Sequence, residues 1–397
     1  MTDCIPLAIL GGNPGFEQSI NVGQFYFPKW DQYETAMRGI FERCYYNNNG
    51  PLLTEFEQKL GQFFGVKHAI CVHNATFGLM MLADAMGLTG KVIVPSFTFV
   101  ATVQALAWSK LQPVFCDVDA ATHQIDLHQV RQLIDADVTA VMAVNLWGGA
   151  CQPAELETLC RENGIKLLFD SAHATGCEVK GKKLGGFGDA EVFSFHATKM
   201  LSTTEGGCIT TNNDELAAIL ASMRPSYGKE QVVDVVKVIN ARMSEAQAAV
   251  GLLNLADFEN NRQHNEDIYR TYAKNLSGVH GVRLVEPTGV SRSNYQYIVV
   301  QIDKEQFGMT RDQLQKALLA ENVNARRYFY PGVHQTIEFE AIFSAQQHPL
   351  TVTEQLCESC MQLPVGANVN DQIVQKICEL IRRIQQQARA ITEQLNK

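Results

Sequence analysis

From about residue 55 to 260 the chain alternates short β-rich runs with helical patterns. The runs are "HAICVHN", "KVIVPS", "PVFCDVD", "TAVMAVNLWG", "IKLLFDSA", "EVFSFH" and "GCITTNN"; segments such as "LMMLADAMGL" and "AELETLCRENG" lie between them. Parallel strands need crossover connections of about a dozen residues or more, usually a helix, so this rhythm predicts an α/β fold: a mostly parallel sheet with helices on both faces. From Asn294, "NYQYIVVQID", the helical "TRDQLQKALLAENV" and "NARRYFY" predict a smaller C-terminal α/β unit. A last helix with apolar residues at Ile373, Val374, Ile377, Leu380, Ile381 and Ile384 packs on it. The division reads as a large domain over residues 1–260, including the N-terminal segment, and a small one over 261–397. The helix entering "NNRQHNEDIYRTYAKNL" lies across that boundary.

Composition narrows the class. With 397 residues, 46% hydrophobic and 19% charged, the chain buries a large core. A net charge of −9 gives a long-range field of the wrong sign for nucleic acid or an anionic membrane. The eleven cysteines lie mostly in apolar segments without paired metal-ligand spacing, and Cys357 and Cys360 form a lone C-x-x-C in a helical pattern. This usage points to a reduced, cytoplasmic setting with no metal site. The opening "MTDCIPLAILGGNPG" has no basic start and too short an apolar run for a signal peptide, and no apolar run approaches a membrane span.

In open α/β sheets, ligands bind beyond the carboxyl ends of the strands, so the residues just after each strand are the informative ones. After "HAICVH" come Asn74, Ala75 and Thr76 and then a helix, whose free N–H groups and positive dipole end suit a phosphate. After "KVIVPS" comes Phe99; after "KLLF" comes Asp170; past "EVF" come Ser194, His196 and Lys199. Taken singly, each has an ordinary structural role: Lys199 a solvated lysine, Asp170 a helix cap, Phe99 a core residue, His173 and His196 satisfied structural histidines. Together, in chain order and each at a strand end, they put a phosphate cradle, an aromatic plate, a carboxylate and an amine on one rim. That set fits pyridoxal phosphate (PLP): a lysine for the aldehyde, an acid for the pyridine nitrogen and a ring for the cofactor face.

The residues "SFHATK", "EGG", "DSAHATG", "PSFTFVAT", "NGPLLTEFEQKLGQFFGV" and "YFYPGVH" together resemble the DegT-type sugar-nucleotide aminotransferases, fold-type-I PLP-dependent transferases, over nearly the whole chain. "LGGNPGFEQSINVG" and "GDAEVFSFHATK" are most similar to the branch that aminates C4 of dTDP-4-keto-6-deoxyglucose, the desosamine- and viosamine-type enzymes. The resemblance implies that Lys199 is the Schiff-base lysine and proton carrier, that Asp170 pairs with the pyridine nitrogen and that Phe99 stacks on the ring. It implies that Thr76 and Phe77 bind the phosphate through backbone N–H groups and the Thr76 hydroxyl, aided by Ser194, and that His173 lies near the cofactor's phenolic oxygen. Asn240, in "NARMSEAQAAVGL", would reach the phosphate of a neighbouring subunit, making a homodimer with shared active sites. His334 would face the sugar, and Arg242, Arg326 or Arg327 would meet the diphosphate.

The implied reaction moves the amino group of L-glutamate to the cofactor, releasing 2-oxoglutarate and leaving pyridoxamine phosphate, and then to the C4 keto group, giving dTDP-4-amino-4,6-dideoxyglucose. Such amino sugars enter lipopolysaccharide O-antigens or glycosylated natural products. Relatives that remove the 3-hydroxyl carry histidine where this chain has Lys199. Within the enzyme class, a 3-keto sugar aminotransferase is the rival reading; outside it, an inactive PLP-binding regulatory protein. Two stretches depart from close relatives: "WGGAC" (Trp147 to Cys151) replaces "WGRPC", and Pro225-Ser226-Tyr227-Gly228 replaces "NFGF". Both are expected at the pocket mouth.

Overall fold

The computed structural model describes residues 6–47, 49–225, 233–346 and 348–396. A seven-stranded sheet forms the centre: β1 (His68–Val72), β2 (Lys91–Pro95), β3 (Gln112–Cys116), β4 (Val138–Val144), β5 (Lys166–Asp170), β6 (Ala190–Ser194) and β7 (Gly207–Thr211). Its spatial order is β1-β7-β6-β5-β4-β2-β3, and only β7 runs antiparallel to its neighbours. All seven predicted runs form strands of this one sheet, with the mostly parallel pairing expected.

The strands read as continuous apolar runs because both faces are covered. Cys71, Ile93, Val141, Phe169, Phe193 and Cys208 point into a core with the helix Pro51–Phe64. Their neighbours in sequence, including Val72, Val92, Met142, Leu168, Val192 and Ile209, enter a second core with the helix Ala75–Ala85. The alternation follows from the two-residue period of side chains along a strand. Register aligns the carboxyl ends, pairing Val144 with Asp170 and Asp170 with Val192, so the loops after β4, β5 and β6 open at one edge.

A smaller antiparallel sheet, β8 (Val282–Leu284), β9 (Ile298–Ile302) and β10 (Cys360–Leu363), carries the helices Phe258–Leu276, Arg311–Ala320 and Asp371–Gln386. The helix Asp371–Gln386 buries Val374, Ile377, Leu380, Ile381 and Ile384 of the predicted stripe, with Ile373 partly buried, and it is not the last, because the helix Ala388–Leu395 follows it. Leu7, Ile9, Leu10 and Phe16 pack into the same core. The run after Arg311–Ala320 makes only the two-residue strand Val323–Asn324, which pairs in parallel with Ile20–Asn21 and not with β8–β10. Arg326 then forms an isolated bridge to Gln362.

Candidate active site

The loops at the carboxyl ends of the large sheet and the inner face of the small sheet enclose a cavity of about 390 Å³, a size that suits a small organic ligand. Lys199 sits in the turn after β6, its amide donating to His196 O at 2.8 Å. Its Nζ donates to the Tyr297 hydroxyl at 2.8 Å. Burial brings the Lys199 amine down to about 8, against the opposing pull of Asp170 and Tyr328.

Asp170 ends β5 and is buried. Its Oδ2 accepts from Thr102 Oγ1 at 2.7 Å and its Oδ1 from Ala172 N at 3.1 Å. Thr98 and Thr102 hydroxyls are 2.9 Å apart. Since Thr102 donates to Asp170, it accepts from Thr98, and the two hydroxyls form an oriented chain ending on the carboxylate. Burial raises the Asp170 carboxyl; Thr102, the Ala172 amide and Lys199 act against it. His173 is buried against Trp147, at 5.4 Å and 27° between planes, and against Tyr297 at 4.2 Å. Burial, with Lys199 nearby, holds it well below the ordinary histidine value, so it is neutral, and its Nδ1 has no partner among the described residues.

The helix Ala75–Ala85 begins at the cavity, with Asn74 as its cap: Asn74 Oδ1 accepts from Phe77 N at 2.8 Å. Ala75 and Thr76 line the cavity. Gly207 holds the neighbouring backbone close, since a Cβ there would lie 2.8 Å from Ala75 N. Phe99 precedes the helix Val100–Trp108 and is half-exposed at the mouth, 6.4 Å from the Tyr328 ring.

Of the residues predicted from sequence, Lys199, Asp170, Phe99, Thr76, Ser194, His173 and Arg326 line this one cavity. Four do not. Phe77 lies outside the lining, and its amide, expected to bind phosphate, is committed to the Asn74 cap. Asn240 is exposed and accepts from Arg242 Nε at 2.7 Å; neither residue lines the cavity of this chain. His334, expected to face the sugar, is fully buried behind the wall: its Nδ1 meets Ser96 Oγ at 2.6 Å and its ring packs on Phe343 at 4.7 Å. Arg327 pairs with Asp312 at 3.2 Å and covers the Tyr330 ring. "WGGAC" is buried and off the lining, because a Cβ on Gly149 would lie 2.8 Å from Thr288 O. Ser226, Tyr227 and Gly228 lie outside the described residues.

Sequence reasoning missed Tyr297, Thr102, Tyr328 and Gln362. Thr102 had the one available signal, standing three residues after Phe99 in "FVAT" on the first turn of a helix that starts at the rim.

The sequence signature of the DegT/DnrJ/EryC1/StrS aminotransferase family matches residues 32–382. The dTDP-4-amino-4,6-dideoxy-D-glucose transaminase of Shigella dysenteriae is 31% identical over 372 residues, covering 93% of this chain and 100% of the relative. The GDP-perosamine synthase of Vibrio cholerae is 32% identical over 364 residues, 88% of this chain and 97% of its own. Among solved structures, DesI, crystallised in the presence of its TDP-sugar product, superposes with a TM-score of 0.93 at 36% identity, covering 98% of this chain and 99% of DesI.

Proposed function

Because the chain belongs to the DegT/DnrJ/EryC1/StrS aminotransferase family and has the fold-type-I architecture, we propose that it uses PLP to move the amino group of L-glutamate to the C4 keto group of dTDP-4-keto-6-deoxyglucose. The observation that carries this reading is the Lys199 amine, brought to about 8 inside a cavity that also holds the Asp170 carboxylate. The similarity to a dTDP-4-amino-4,6-dideoxy-D-glucose transaminase and to DesI supports the sugar and the carbon.

The residues fit the cofactor. Asp170 is a buried carboxylate whose hydrogen-bond donors, Thr102 and the Ala172 amide, are neutral, so a protonated ring nitrogen would supply the hydrogen-bonded cation it lacks. The amides of Ala75 and Thr76, at the start of a capped helix, have no acceptor among the described residues and suit its phosphate, with Ser194 beside them. Phe99 and His173 line the same cavity, where Phe99 would cover the ring and His173 would stand by the phenolic oxygen. When bound, PLP supplies an aldehyde for the amine and a ring that accepts the electron pair of the broken bond.

With PLP bound, Lys199 would hold its aldehyde, and its amine would be the group placed to carry the proton to and from the reacting carbon. Lowering its pKa from 10.5 to about 8 raises the neutral fraction at pH 7 by about 300-fold. Tyr297, whose hydroxyl burial pushes up, remains protonated and fixes the direction of Nζ. Asp170, whose carboxyl burial raises while Thr102 acts against the rise, would hold the ring nitrogen. Arg326, exposed at the edge of the cavity, meets the diphosphate of the sugar nucleotide.

The working unit in this reading is a homodimer. Phe27, Trp30, Phe41 and Tyr46 are exposed, Trp30 at 72%, which is more large apolar surface in one segment than a monomer ordinarily shows. Asn240, outside the cavity of its own chain, would then reach the partner's phosphate site. Purified enzyme incubated with L-glutamate and a panel of 3-keto and 4-keto dTDP, UDP and GDP sugars tests the assignment by mass and NMR analysis. The expected product is the 4-amino sugar of dTDP; a 3-amino product would overturn the choice of carbon.

A further inference from the structure

Gln362 lies on β10, is 1% exposed and lines the cavity, yet neither Nε2 nor Oε1 of its side chain has a hydrogen-bond partner among the described residues. Its backbone is held rigidly: Gln362 N donates to Arg326 O at 2.8 Å and Arg326 N donates to Gln362 O at 3.1 Å. Residues across the two strands pair Val299 with Gln362, which puts Gln362 on the same sheet face as Tyr297, one diagonal step away. Tyr297 is the hydroxyl that holds Lys199 Nζ. Next to Gln362 that face is apolar, with Val299, Phe329 and Cys360 in one buried cluster, and the polar Gln301 further along it is already bonded to Ser359 and Arg283. An unpaired buried amide is costly in such surroundings, and one that opens on a cavity is placed to be satisfied by what the cavity holds.

Resting on the keto-sugar reading above, we propose that Gln362 is a specificity residue that reads the ring hydroxyl next to the carbonyl being aminated. The chemistry of the amide selects the ligand. Nε2 donates and Oε1 accepts, so both are satisfied only by a group that accepts and donates at once, which a sugar hydroxyl or vicinal hydroxyl pair does. A carboxylate of the amino donor accepts only and would leave Oε1 unpaired. Gln362 shares the cavity with Lys199 and lies one diagonal step from the tyrosine that holds its amine, which in this proposal sets the amide near the reacting carbon, where in a 4-keto sugar the neighbouring hydroxyl is the 3-hydroxyl.

The test compares wild type with Gln362→Leu and Gln362→Glu in separate half-reactions of the PLP-loaded enzyme. Conversion by L-glutamate, followed by the visible cofactor band, should be unchanged within about twofold, because that step leaves the amide unused. Single turnover of the dTDP-4-keto-6-deoxy sugar by the pyridoxamine phosphate form that this conversion leaves should slow in Gln362→Leu by about 10- to 100-fold, the range that loss of a buried polar partner gives. Wild type should disfavour a 3-deoxy analogue by a similar factor, and Gln362→Leu should treat the two sugars alike. Equal slowing of both half-reactions, or undiminished discrimination by Gln362→Leu, would overturn the proposal. Calorimetric binding of unreactive dTDP-6-deoxyglucose separates the two claims: wild type that binds it but aminates no keto sugar refutes the functional reading, and Gln362 is then judged by whether Gln362→Leu binds it about tenfold more weakly or equally well. Gln362→Glu, which keeps the size and acceptor but loses the donor, should fall between.

Discussion

At the scale of single residues, the candidate site depends on how burial and hydrogen bonding divide the charge between one amine and one carboxylate. Thr102 is the neutral donor that opposes the upward push of burial on the Asp170 carboxyl. Thr102→Val should bind PLP more weakly by about 1–2 kcal/mol and slow the glutamate half-reaction roughly tenfold, whereas Thr102→Ser should restore both; fluorescence titration and stopped-flow absorbance measure them. Lys199 gives a pH prediction with a definite sign. Its folded value near 8 lies below the ordinary 10.5, so the reactive neutral form grows as pH rises and levels off above about 8. The rate at which apoenzyme captures PLP should follow that curve; a rate still climbing steeply at pH 10 would show a lysine without the depression. Asp170 was legible as the last residue of a strand of recognisable pattern, and Lys199 as lying in the turn shortly after another. Tyr297 was not, since it precedes a strand and belongs to no motif, and its role arises only where the small sheet folds over the large one. His334 shows the converse: its place in "YFYPGVH" points to the site, but the turn directs its ring behind Ser96, a direction that residue order alone does not encode.

At the scale of elements, most of the large sheet was readable, because strands buried on both faces are runs of apolar β-formers bounded by polar turns. The pairing of Ile20–Asn21 with Val323–Asn324 was not, since a two-residue strand carries no periodicity and its partner lies some three hundred residues away. The core of the large sheet also carries a charge that no pattern announces. Glu191 on β6 is fully buried, accepting from Ser171 Oγ at 2.6 Å and Phe187 N at 3.0 Å, and burial raises its carboxyl from 4.5 to about 7. The fold therefore binds this proton more tightly than the unfolded chain does. Its contribution is full below about pH 4.5 and is lost as pH rises through about 7, a difference of up to about 3 kcal/mol. Urea denaturation at a series of pH values should show that loss in wild type, and Glu191→Gln should flatten the Glu191 component between pH 4.5 and 7. An unchanged slope in the variant would place the titration elsewhere.

At the scale of the whole molecule, the cavity gathers Val22 and Gly23 from the N-terminal segment, the strand ends of the large sheet, and Tyr297, Arg326 and Gln362 from the C-terminal part. Three distant stretches of chain must fold before any of the chemistry exists. If the dimer completes the site, Lys199→Ala and Asn240→Ala, each inactive alone, should complement when refolded together. Random pairing yields half mixed dimers with one intact site of two, so about a quarter of wild-type activity should return; mixed dimers without activity would mean that Asn240 serves only its own chain. The central claim is that one amine, Lys199, holds the cofactor. Borohydride reduction of the PLP-loaded protein followed by peptide mapping tests it most directly: the account predicts a single stable adduct on the peptide containing Lys199, and an adduct on another lysine, or none at all, would contradict it.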